Sequence, residues 1–90
     1  MPKASALIVD DNATLISVLA QFLALEDISV MSEMEPKAII HDLSQFEGID
    51  VIFLDLEMSV SGFEILRMVK EAPGFKDVPV IAYSIHTQHI

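Results

Sequence analysis

Ala6-Leu7-Ile8-Val9-Asp10-Asp11-Asn12 joins a continuous apolar run to two acids and an amide. A run with no polar residue alternating through it suits a strand buried on both faces, and the acids mark where that strand leaves the core. Val51-Ile52-Phe53-Leu54-Asp55 repeats the arrangement later in the chain. Strands of this kind belong to parallel sheets covered by helices, so the segments around them are read for helical periodicity.

Asn12 can cap a helix that carries Leu15, Val18, Leu19, Phe22 and Leu23 at helical spacing until Glu26-Asp27 interrupts it. Ile28 to Met31 reads as a second strand. Pro36 opens a second helix at its favoured first position, with Ile39, Ile40, Leu43 and Phe46 along one face and Gly48 at the end. Gly62 precedes a third helix bearing Phe63, Leu66, Met68 and Val69, which Pro73-Gly74 stops before Val78-Pro79-Val80-Ile81-Ala82-Tyr83 forms a fourth strand. The helix stripes, Phe22 and Met68 included, are expected to pack in the core. Strands alternating with helices through short links predict an α/β fold with right-handed crossovers, whose binding residues gather at the carboxyl ends of the strands. Asp10, Asp11, Asp55 and Ser84 all fall at such ends.

A length of 90 residues suits one domain spanning 1–90, and 52% apolar content suffices for one core rather than a disordered chain. With 14 acidic against 5 basic side chains the formal charge is -9, which disfavours nucleic-acid backbones and anionic membrane surfaces as direct partners. The lack of cysteine removes disulfides and thiolate chemistry and fits a reducing compartment, so a cytoplasmic location is expected. The apolar run behind Lys3 stops at Asp10, too short for a signal peptide, and no run approaches the roughly 18 apolar residues that span a bilayer. Neither Gly-rich nucleotide fingerprint occurs, and none of Gly48, Gly62 and Gly74 follows the first strand.

An aspartate at a strand end commonly caps a helix or shapes a turn. Three strand ends that agree say more. Carboxylates crowded at the ends of neighbouring strands repel unless a cation sits among them, and oxygen-only ligands select Mg²⁺ over zinc or copper. A carboxylate beside such an ion can attack phosphorus, which makes Asp55 the candidate nucleophile. The Ser84 hydroxyl, one strand over, can donate to a phosphoryl oxygen and move when the phosphate arrives. His86 and His89 near the end read as a solvated tail rather than a metal pair.

Leu7 to Asn12 resembles the first signature of response-regulator receiver domains of two-component signalling. Val51 to Met58, followed by Gly62-Phe63-Glu64, resembles the second, and Val78 to Ser84 the third. The resemblance covers essentially the whole chain. It implies a flavodoxin-like doubly wound parallel sheet with strand order 2-1-3-4-5, of which four strands and three helices are present. It also implies a phosphorylatable Asp55 and a Mg²⁺ held directly by Asp11 and Asp55, mainly through water by Asp10, and by the backbone carbonyl of Glu57. Ser84 matches the hydroxyl that follows the phosphoryl group, Tyr83 lies beside it, and the phosphate would come from a sensor histidine kinase or phosphotransfer protein.

The chain departs from the family's pattern in three ways. It ends at Ile90, so the last helix-strand-helix portion, with the fifth-strand lysine, is expected to be missing and the domain incomplete at its carboxyl end. Lys76, in the loop before the fourth strand, sits at the far end from the acids and is no substitute. Ser59 stands where the family usually has proline, and Ile85 where it usually has a small residue. A fourth strand left at the sheet edge seeks a partner, so self-association through Val78 to Ile85 or marginal stability is expected. Two other readings compete with a phosphorylated switch. One is a receiver-like interaction module that never takes phosphate. The other is a haloacid-dehalogenase-like phosphatase, for which Glu57 is the wrong acid and Asp10-Asp11 would have no role.

Overall fold

Four strands form one parallel sheet: β1 (Ala4–Val9), β2 (Ile28–Glu33), β3 (Val51–Asp55) and β4 (Val80–Tyr83), in the order β2-β1-β3-β4. The structure is a computed structural model that describes residues 2–41, 43–46, 48–58 and 61–84. Helices α1 (Ala13–Leu25), α2 (Pro36–His41) and α3 (Gly62–Glu71) connect the strands in sequence. The alternation is the one expected from the sequence pattern, and the strand order is the one the family resemblance implies. Ser59, Ile85, His86 and His89, and the side chain of Ile40, lie outside the described residues.

Register carries the two apolar runs into the middle of the sheet, where Leu7 pairs with Ile52 and Val9 with Leu54. Because side chains alternate across a strand, these four share one face. There they pack with Ile39 of α2, Ile65 and Val69 of α3, and Phe46, Ile49 and Phe75 as the buried core. Ile8 and Phe53 take the other face, which α1 covers.

The caps follow the sequence signals. Asn12 accepts the Leu15 N–H at 3.1 Å and starts α1, while Ser61 accepts the Phe63 N–H at 3.2 Å and starts α3. Gly62 is itself the first residue of α3. A Cβ there would lie 2.5 Å from the Leu56 Cα and 2.6 Å from the Asp55 carbonyl oxygen, so only glycine lets α3 begin this close to the end of β3.

Three expectations are corrected. The second helix is not continuous to Phe46: α2 stops at His41 and a 3₁₀ turn, Leu43–Phe46, follows. The tighter turn still buries Phe46, and Gly48, at φ +81°, ends the segment in a conformation open to glycine. The fourth strand begins at Val80 rather than Val78, because Pro79 has no N–H for the ladder and the Val78 N–H is taken by the Phe75 carbonyl. Phe22 is not core: it is 65% exposed, and α1 has no buried residue. Leu15, Val18, Leu19 and Phe22 instead form a wall of an open apolar groove of about 360 Å³, completed by Phe53 and Tyr83. Met68 is half-buried. Among the described residues no strand pairs with the outer side of β4, where Ile81 is half exposed.

Candidate functional site

The carboxyl ends of β1 and β3 lie side by side, which brings Asp10, Asp11 and Asp55 together. Each offers a carboxylate oxygen, and the three oxygens lie within 4.8 Å of one another. Asp10 is fully buried and Asp55 nearly so, while Asp11 is exposed. The Asp10 N–H donates to the Glu33 carbonyl at 3.1 Å, extending the β1–β2 ladder to the site. The Leu56 N–H donates to the Tyr83 carbonyl at 2.8 Å and does the same for β3–β4. The cluster is therefore fixed by the sheet itself.

Buried carboxylates need donors. Asp10 Oδ1 accepts the Asn12 N–H at 2.9 Å and Asp55 Oδ1 accepts the Glu57 N–H at 2.9 Å, each in a tight turn two residues long. Asp10 Oδ2 accepts the Tyr83 hydroxyl at 2.6 Å. Burial, foremost, pushes the Asp55 carboxyl above its ordinary value; the Glu57 N–H opposes this, and the charges of Asp10, Asp11 and Glu57 add to it. Burial also pushes the Tyr83 phenol well up, helped by its bond to Asp10 and by the charges of Asp10 and Asp55, so it remains a protonated donor.

Of the residues singled out in the sequence, Asp10, Asp11 and Asp55 converge. Glu57 follows on the loop after β3, its side chain exposed, with a bridge to Ser61. Ser84 directly follows β4, exposed, and its hydroxyl bonds to none of the described residues. The contact that sequence reading missed is that of Tyr83, which was placed only beside Ser84. A half-buried tyrosine beside an acidic cluster needs a hydroxyl partner, and that need was the available signal.

The family model of the response regulator receiver domain matches residues 6–90. The chain belongs to this family. Stress response regulator protein 1 of Scheffersomyces stipitis is 31% identical to this receiver over 84 residues, 90% of the chain but 29% of that protein. The receiver thus spans less than a third of that relative's length. Among solved structures, the N-terminal domain of a response regulator receiver protein from Methanoculleus marisnigri superposes with a TM-score of 0.79 at 23% identity, over 89% of this chain and 65% of that one. A receiver protein from Pseudomonas putida gives 0.81 at 22% identity, over 98% and 73%. At these identities the two structures bear on the fold alone, and they share this one. The receiver is thus of the two-component response-regulator type, a class that in general accepts phosphate from histidine kinases or phosphotransfer proteins and binds Mg²⁺ at an aspartate cluster. This structure has such a cluster. No described helix is long and apolar enough to cross a membrane.

Proposed function

We propose that this receiver takes a phosphoryl group on Asp55, with Mg²⁺ held by Asp10, Asp11, Asp55 and the backbone carbonyl of Glu57, and signals through Ser84. The observation that carries the reading is the convergence of three carboxylates within 4.8 Å at the carboxyl ends of two buried strands. Their donor set is all oxygen, in part buried and uncompensated by a cation among the described residues, which fits a hard divalent ion. When bound, Mg²⁺ would neutralise charge on the transferring group.

The chain's own residues supply the rest. Asp55 Oδ1 is held by the Glu57 N–H, while Oδ2 has no hydrogen bond among the described residues and is the oxygen free to attack. A bond forms from that oxygen to phosphorus as the bond from phosphorus to the donor's histidine nitrogen breaks, and the imidazole keeps the electron pair. The Asn12 N–H and the Tyr83 hydroxyl hold the buried Asp10 carboxyl group in place where the cation is needed. Ser84 stands one residue beyond the partner of Asp55 in the β3–β4 register, at the same end of the sheet, which supports its hydroxyl as the donor to a new phosphoryl oxygen.

Incubation with Mg²⁺ and a small acyl phosphate, followed by intact mass measurement, tests this reading. A phosphoryl adduct is expected on the parent and not on Asp55→Asn. An adduct of equal yield on both would refute the assignment.

A second reading has its own observation. The edge of β4, unpaired among the described residues, and the apolar groove beside α1 support self-association through the segment Val78 to Ile85, of which Ile85 lies outside the described residues. The family match lends the phosphatase reading no support.

A further inference from the structure

Tyr83 stands on β4, two strands from Asp10, yet its hydroxyl meets Asp10 Oδ2 at 2.6 Å. Two strand spacings are roughly 10 Å, so the side chain reaches across the end of β3, over the register position of its own partner Asp55. The ring is held while it does so, because it forms part of the apolar groove with Leu15, Leu19 and Phe53. Asp10 is thereby the most constrained of the three carboxylates. One oxygen accepts a backbone N–H from its own turn and the other accepts the phenol from the far strand, and together these fix the plane of the group. An ionised carboxylate has about four acceptor sites, so one lone pair on each oxygen stays available. Asp11 has no hydrogen bond among the described residues, and Asp55 has one, so neither is braced in this way.

We propose that Tyr83 is a positioning residue for the divalent cation, its hydroxyl orienting buried Asp10 so that the free lone pairs of that carboxylate face Asp11 and Asp55. This rests on the metal reading of the aspartate cluster given above. Partners that hydrogen-bond to a metal-binding carboxylate fix its orientation, and their removal typically weakens metal binding about 10- to 100-fold. Because Ser84 is the next residue, a displacement of the end of β4 also moves the group that holds Asp10. The switch and the cation site are thus joined through one side chain.

Calorimetric titration with Mg²⁺ alone tests the proposal on the parent, Tyr83→Phe and Val18→Ala. The second variant thins the same groove without touching Asp10, and circular dichroism checks the fold of each. Tyr83→Phe is expected to bind Mg²⁺ at least about tenfold more weakly, with Val18→Ala close to the parent. Tyr83 is the chain's one tyrosine, and there is no tryptophan, so its emission in the parent is expected to change with Mg²⁺ along the same isotherm. Equal or tighter binding by Tyr83→Phe, an equal loss in Val18→Ala, or an emission indifferent to Mg²⁺ would overturn the inference alone. No binding of Mg²⁺ by the parent would overturn the metal reading, and this inference with it.

Discussion

The carboxyl group of Asp55 carries the cost of its position. Burial and the neighbouring acids raise its proton affinity above the ordinary value of 3.8. In the pH window between that value and the raised one the folded chain binds the proton more tightly than the unfolded chain, so stability falls as pH rises through the window. Above it the full cost is present. The metal-free Asp55→Asn variant should therefore melt higher than the parent at neutral pH, with the difference shrinking as the pH falls through that window toward the ordinary value; thermal melts across pH check this. Mg²⁺ should invert the order, since a ligand at a hundred times its Kd stabilises by about 2.7 kcal/mol and Asp55→Asn removes a ligand oxygen's charge. The partners of Asp10 divide by how local they are. Its bond to Asn12 is a turn two residues long and follows from the sequence, whereas its bond to Tyr83 spans 73 positions and depends on strand order and register.

At the scale of elements, the strands were legible because continuous apolar runs ending in acids have few other uses in a small α/β domain. Asn12 and Pro36 marked the starts of α1 and α2 for equally local reasons. What local pattern does not contain is the company an element keeps. The stripe on α1 is periodic, but periodicity says which face is apolar and not what covers it, and Phe22 lies open. The break after His41 was hidden because Ile39 and Phe46 join the same core whether the backbone between them is α-helical or tightens to 3₁₀. Gly62 is an element-scale constraint that can be tested. Gly62→Ala drives a methyl group into the backbone of Asp55 and Leu56, and should cost about 1–3 kcal/mol in urea unfolding while lowering phosphorylation yield. Ile65→Ala, in the middle of the core between α3 and the sheet, should cost about 2–5 kcal/mol with the acidic cluster left in place.

At the scale of the whole molecule, the sheet gathers its main buried cluster on the side of α2 and α3, while the face under α1 keeps a groove and β4 keeps a free edge among the described residues. Charge works against close association, since the chain carries -9, and salt screens that repulsion. Average mass by light scattering should rise with concentration and with ionic strength, and Ile81→Lys, which places a charge on the exposed β4 edge, should lower it; a monodisperse monomer under all conditions would refute self-association. The central claim lies at the open mouth of the sheet, where β1 and β3 present their acids. Its most direct measurement is chemical mapping of the phosphorylated chain: treatment with an acyl phosphate and Mg²⁺, reduction of any acyl phosphate by borohydride, and sequencing of the peptides by mass spectrometry. Conversion of Asp55 to homoserine is the predicted result, and reduction confined to Asp10 or Asp11, with Asp55 unmodified, would contradict it.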